Sequence, residues 1–184
     1  MDDLNRHRLT PRFIGENPEI LALMASFEPL DHPAGHAAAR FLREDALINH
    51  GSTVTHVAVG PERIEGFVAM TFGDIKLSET QSSELGVLHR RGLPAFRLAW
   101  IAKHRDTDVP GMSLVFYAYT MAIKALLLGG VAALSLDPYD AEAAATWLGA
   151  PYEFRTSNEK PRRDGVPRGL WLPVRRDDDY SSES

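Results

Sequence analysis

The sequence predicts an α/β fold built on one mixed sheet with helices on both faces, and three observations predict it. Apolar residues recur at helical spacing in the first fifty positions, then switch to strand-like runs between residues 55 and 72. Further on, the strand-like FRLAWIAKH (96–104) and VAALSLDP (131–138) alternate with the helix-like LVFYAYTMAIKALLL (114–128) and DAEAAATWLG (140–149). The composition is that of an ordinary globular chain, with 184 residues, 44% hydrophobic, 24% charged and no cysteine.

Taken in order, residues 9–13 (LTPRF) read as an extended entry to a helix that runs to about residue 30. Asn17 fits its N-cap and Pro18 its first position, with Ile20, Leu21, Met24 and Phe27 as the apolar stripe. A second helix is expected over about 33–49, with Ala38, Phe41, Leu42 and Ala46 buried and Gly51 ending it. THVAVG (55–60) and IEGFVAMTF (64–72), joined by a turn at Pro61–Arg63, make a β-hairpin rich in Val, Phe and Thr. Residues 77–93 are mixed and polar, fitting a short helix before a loop. Strand 96–104, loop 105–113 and the apolar helix 114–128 follow, the helix stopped by Gly129–Gly130. The nearly uncharged 131–138 reads as a buried strand, and the acidic first turn of 140–149 suits a helix N-terminus. YEFRTS and VPRGLWLPV (166–174) read as closing strands joined by the basic loop NEKPRRDG (158–165).

Absence of cysteine excludes a disulfide framework, a thiolate metal site and a cysteine nucleophile together. The net charge of −5 is unevenly distributed. Residues 1–3 and 177–184 hold six acids and no Lys or Arg, so residues 4–176 carry +1. The expected organisation is a flexible segment 1–8, a single domain over 9–176 and an acidic, disordered tail over 177–184. The opening MDDLNRHRLT lacks the apolar core of a secretory signal, and the apolar stretches read as too short and interrupted to span a bilayer. A cytoplasmic protein without a membrane partner is expected.

Strand 96–104, loop 105–113 and helix 114–128 form the unit that carries chemistry. A strand feeding a tight loop into a helix aims free N–H groups and the positive end of the helix dipole at one point, which suits a phosphate or pyrophosphate. Gly111 and the small Ser113 stand at the helix start, where backbone must approach an anion closely.

Over about residues 37–155 the chain resembles the GNAT acyltransferase superfamily, and within it the TacT-like toxins of type II toxin–antitoxin pairs. AARFLREDALINHGSTVTHVAV is similar to that subfamily's FL-x-x-x-A helix and first hairpin strand, and IEGFVAMTFGDIKL to its next strand. FRLAWIAKHRDTDVPGMS aligns without gaps to its strand and acetyl-CoA loop, SLDPYDAEAAATW to its V-D-A…A-x-x-F-Y segment, and Pro151–Tyr152 to its G-F. The resemblance implies a GNAT-like mixed central sheet and acetyl transfer from acetyl-CoA to a primary amine, that of aminoacyl-tRNA in the toxin version. An antitoxin protein would be a partner, and a homodimer stays open.

By the same resemblance, Ile101, Ala102 and Lys103 would flank the pantetheine arm and thioester, and Asp108, Val109, Gly111, Met112 and Ser113 would face the pyrophosphate. The loop departs from the family's [Q/R]-x-x-G-x-[G/A] pattern. Asp108 stands where a donor or cation is usual, Val109 where the toxins often have glycine, and Pro110 removes one N–H. Trp147 stands where the family has the tyrosine that protonates the leaving thiolate, and an indole N–H is no general acid at neutral pH. Tyr139 and Tyr152 are the substitutes to consider. These departures keep a second reading open: a GNAT-fold binding or assembly module that does not use acetyl-CoA.

Basic residues at Arg90 and Arg91, and at Lys160, Arg162 and Arg163, are candidates for a tRNA-phosphate rim. His32 and His36 have i, i+4 spacing, but Pro33 and Gly35 lie between them with no third ligand. That pair is expected to open a helix, and no metal is expected. Glu44 and Asp45 are adjacent and so diverge on a helix, and no G-x-S-x-G elbow is present.

Overall fold

The computed structural model describes residues 5–87 and 92–174. Seven strands form one sheet in the order β1-β2-β3-β4-β5-β7-β6. They are β1 (Asn5–Arg8), β2 (Val54–Val59), β3 (Ile64–Ile75), β4 (Leu93–Lys103), β5 (Ala133–Leu136), β6 (Arg155–Thr156) and β7 (Leu170–Pro173). β4 and β5 pair in parallel, whereas β1–β2, β2–β3, β5–β7 and β6–β7 pair antiparallel, so the sheet is mixed as expected. The helices are α1 (Pro11–Glu16), α2 (Glu19–Ala25), α3 (Pro33–Arg40), α4 (Glu79–Glu84), α5 (Gly111–Gly129) and α6 (Ala141–Leu148).

The described residues form two compact units, one drawn from residues 1–71 and 99–115, the other from 72–98 and 116–184. In the first, Leu9, Ile14, Ile20, Met24, Phe27, Phe41, Leu42 and Phe67 make a continuous core. Its aromatic rings interlock, Phe27 edge-on to Phe67 at 5.6 Å and Phe41 stacked on Trp100 at 5.4 Å. Gly66 permits a close approach, because a Cβ there would lie 3.0 Å from the Ala102 carbonyl oxygen and 2.9 Å from Leu114. In the second unit, the fully buried Trp171 packs with Ile75, Leu77, Leu93 and Ala133, and its Nε1–H donates to the Thr156 carbonyl at 3.3 Å.

Several expectations are corrected. Of the extended entry expected over 9–13, Pro11–Phe13 are helical instead: Thr10, itself extended, caps α1 by accepting the Phe13 N–H at 3.1 Å, and Pro11 sits at the first helical position. Asn17 does not cap a following helix. Its side chain closes α1 by donating to the Phe13 carbonyl at 3.0 Å, and Pro18 precedes α2. Leu21, assigned to the buried stripe, is exposed. The regular helix expected to reach 49 stops at Arg40 and continues as a π-helical turn over Phe41–Asp45, which still buries Phe41 and Leu42.

Residues 5–8, expected in the free N-terminal segment, pair with β2 from Asn5↔Val59 to Arg8↔His56. By length and composition, Gly111–Leu128 of α5 is sufficient to cross a bilayer, contrary to the sequence reading. Leu114, Val115, Ala118 and Ala122 of that helix are nonetheless buried in the fold. The tail 177–184 lies outside the described residues.

Candidate functional site

β4 is longer than its partner. Its pairing with β5 runs from Ala95↔Ala133 to Leu98↔Leu136 and stops there, while β4 continues to Lys103. Strand backbone past the end of a ladder has N–H and C=O groups to offer to a ligand. Ile101, Ala102 and Lys103 lie in this overhang and line a cavity of about 230 Å³ together with Pro29, Leu30, His32, Ala34 and Gly35. The opposite wall is built by the start of α3. His32 Nδ1 accepts the Ala34 N–H at 3.2 Å, so this histidine caps the helix. Gly35 is required here, since a Cβ would fall 2.6 Å from the Leu30 carbonyl oxygen. His36 pairs with Asp31 at 3.0 Å, and among the described residues no group of three or more His, Asp or Glu could hold a metal ion.

Beyond β4, the loop into α5 lines a second cavity, of about 720 Å³, through Asp106, Asp108, Val109, Pro110 and Ser113. His7 of β1 and Arg63 and Glu65 beside the β2–β3 turn add to its lining. Arg63 brings a guanidinium to the cavity where the loop offers Asp108, and it pairs with Glu65 at 3.6 Å. Two of the expected loop donors are engaged. The Val109 N–H donates to Thr107 Oγ1 at 3.2 Å, and the Ser113 N–H to the Pro110 carbonyl at 2.9 Å. Gly111 and Met112 open α5, at positions whose N–H groups an α-helix leaves without an internal acceptor.

In the other unit, Trp147 of α6 packs on Tyr152 with ring centroids 4.8 Å apart and on Phe154 at 5.5 Å. The Phe154 N–H donates to the Trp147 carbonyl at 2.9 Å, which fixes the turn carrying Tyr152. Tyr139 lies elsewhere, half exposed, with its carbonyl taken by Arg162 at 2.6 Å. Arg162 also donates to the Pro138 carbonyl at 3.3 Å and to Asp164 at 3.1 Å, so its guanidinium is committed to the end of its own loop. Lys160 and Arg163 are exposed, whereas Arg90 and Arg91 lie outside the described residues.

The Asp164 carboxyl is held below the usual carboxylate value, first by the Val166 N–H and further by Arg162. A carboxyl lowered on folding contributes stability that is complete above its unfolded value, 3.8, and lost as pH falls through the folded value. Asp164→Asn is therefore expected to lower Tm slightly at neutral pH, where the ionised carboxylate stabilises the fold, and the gap to the wild type should close as pH falls below about 4. Thermal melts of both proteins from about pH 2 to about pH 7 check it.

Neither a protein-family model nor a curated protein matches the sequence. Solved structures do match. A tyrosine-to-phenylalanine mutant of the toxin AtaT, bound to the C-terminus of the antitoxin AtaR and acetyl-CoA, superimposes with a TM-score of 0.64 at 14% identity, covering 94% of each chain. AtaT complexed with acetyl-methionyl-tRNAfMet gives 0.65 at 16% identity, over 82% of this chain and 86% of that one. A tyrosine-to-phenylalanine mutant of KacT gives 0.65 at 17% identity, over 82% and 87%. The chain thus has the GNAT-like α/β fold that the sequence predicts, shared with these structures along most of its length.

Proposed function

We propose that this protein is an N-acyltransferase that moves an acetyl group from acetyl-CoA to a primary amine, with aminoacyl-tRNA as the acceptor. The observation that carries the reading is the five-residue overhang of β4 past β5, walled by its own cavity and followed by a loop that opens a helix. A polar strand edge can hold the amides of a pantetheine arm, and strand N–H groups near Ile101–Lys103 can stabilise the oxyanion formed when the amine attacks the thioester. Gly111 and Met112 would meet the diphosphate with their N–H groups, and Arg63 would supply the cation that offsets Asp108 in the cavity lining.

The neutral amine nitrogen forms its bond to the acetyl carbon, and the carbon–sulfur bond breaks. The nitrogen gives up one proton to water, and the departing thiolate takes one from a donor that water then reprotonates. Tyr152 is assigned as that donor, because its ring packs on Trp147, the position of the family's tyrosine. Most of the acceleration would come from positioning, without a covalent intermediate. Structural neighbours captured with an antitoxin, acetyl-CoA and acetylated tRNA support these kinds of partner. Lys160 and Arg163 would contact tRNA phosphate in a single-domain cytoplasmic protein.

The second reading, a binding module without acetyl-CoA chemistry, is favoured by one observation: Glu65, Asp106 and Asp108 line the loop cavity, with Arg63 its one Lys or Arg among the described residues. Thermal denaturation with and without acetyl-CoA separates the two. Ligand at 100 times its Kd stabilises by about 2.7 kcal/mol, so a clear rise in Tm is expected. An unchanged Tm at millimolar acetyl-CoA overturns the enzyme reading. Given binding, intact-mass analysis of charged tRNA after incubation should show the acetyl adduct on the aminoacyl group, and an unmodified product rejects that acceptor.

A further inference from the structure

We infer that His104 is the positioning residue of the donor-binding loop, acting through Nδ1 as an acceptor that fixes residues 106–109 at the mouth of α5. The inference deepens the proposed acetyl-CoA site and rests on that reading for its effect on binding. His104 follows the last residue of β4 and is 7% exposed. Its backbone N–H donates to the Glu65 carbonyl at 2.8 Å, and its own carbonyl accepts the Thr107 N–H at 3.3 Å. The ring stands edge-on to Phe27 at 5.8 Å, and Nδ1 accepts the Asp106 N–H at 3.2 Å. An imidazole nitrogen that accepts carries no proton, so the proton resides on Nε2.

The next link runs forward along the loop. Thr107, held by the His104 carbonyl, accepts the Val109 N–H on Oγ1, and Val109 precedes the Pro110–Gly111 entry to α5. A link also runs backward. Arg105, adjacent to His104, donates its N–H to the Glu28 carbonyl at 2.8 Å and pairs with the Glu28 carboxylate at 2.5 Å, while Pro29 bridges to His104. Pro29 and Leu30 wall the cavity over Ile101–Lys103. His104 therefore stands where the diphosphate loop meets the wall of the acyl cavity. The backbone bridge to Pro29 and the bonds of Arg105 make the link to the wall. Nδ1, a heteroatom that no apolar core residue supplies, makes the link into the loop.

Two substitutions separate the acceptor from the ring. His104→Phe keeps a ring against Phe27 and removes the acceptor, whereas His104→Asn places an amide oxygen near the Nδ1 position and removes the ring. Residue-resolved amide exchange is expected to accelerate about tenfold at Asp106 in the Phe variant and to stay near the wild-type rate in the Asn variant. The Kd for acetyl-CoA, measured by calorimetry, should rise about tenfold in the Phe variant and recover in the Asn variant.

Wild-type exchange in the Phe variant overturns the inference, as does faster exchange with an unchanged Kd. Should the wild type itself not bind acetyl-CoA, the proposed activity falls, and the exchange rates alone decide whether His104 fixes the loop. Thr107→Val guards against misfolding of the His104 variants. It should accelerate Val109 exchange while sparing Asp106, and unchanged Val109 exchange counts against the chain of bonds.

Discussion

Phe27→Ala is expected to cost about 3–5 kcal/mol, the range for deleting a buried aromatic ring from a packed core. The ring is 1% exposed and edge-on to both Phe67 and His104, so the cavity left behind would open beneath the candidate site. The surroundings can collapse little. The Phe27 carbonyl accepts from the Arg43 guanidinium at 2.5 Å, and the neighbouring Glu28 carbonyl is held by the Arg105 N–H. With the backbone pinned at both residues, the cavity term adds to the lost transfer energy. Urea titration should show a lower midpoint at constant m-value. A loss below about 1 kcal/mol would mean that the segment relaxes into the void, against the pinning described.

The elements best legible in the sequence are those whose signal is local and repeated. The hairpin of THVAVG and IEGFVAMTF carries its β-branched and aromatic pattern within each strand, and β2 and β3 form where it predicts. The alanine-rich helix expected over 140–149 forms as α6, with Asp140, read as part of its acidic first turn, standing just ahead of it as the cap that accepts the Ala143 N–H at 2.8 Å. Failures occur where one residue type serves either end of a helix. Asn17 has a short polar side chain that can cap a helix start or bond a carbonyl at a helix end, and only the presence of α1 decides which. Thr10–Pro11 does carry a start signal, but Pro also favours an extended entry, and a helix of six residues is too short to show a periodic apolar stripe.

For the site, contiguity sets the limit. Residues 101–103 and 108–113 are found together because they follow one another, and the structure lines two cavities with most of them. Arg63 and His104 escape sequence reasoning because the residues they join at the site lie far off in the chain. Arg63 reaches the loop cavity only through the β2–β3 turn, and His104 meets Phe27 and Glu65 only once β4 is in the sheet. A buried histidine at a strand end looks like any core residue until its Nδ1 is seen to accept a backbone N–H. The commitment of Arg162 to backbone carbonyls is equally non-local, since Pro138 and Tyr139 belong to the segment after β5.

Tyr152→Phe is expected to lower kcat by about 10²–10⁴, the usual contribution of a positioned general acid, while the KM for acetyl-CoA stays near its wild-type value. A proton donor acts on the leaving thiolate, whose charge develops only in the transition state, so its loss falls on kcat and on kcat/KM alike. Packing is conserved by the substitution. The ring remains on Trp147, and the Tyr152 N–H bond to the Gly149 carbonyl at 3.0 Å involves backbone alone. Tyr139→Phe is the matched control, since Tyr139 lies half exposed and Arg162 binds its carbonyl, a bond that the substitution leaves in place. Rates measured on charged tRNA with both variants decide the assignment. Activity retained in Tyr152→Phe and lost in Tyr139→Phe would transfer the role to Tyr139, and activity retained in both would leave the thiolate to take its proton from water.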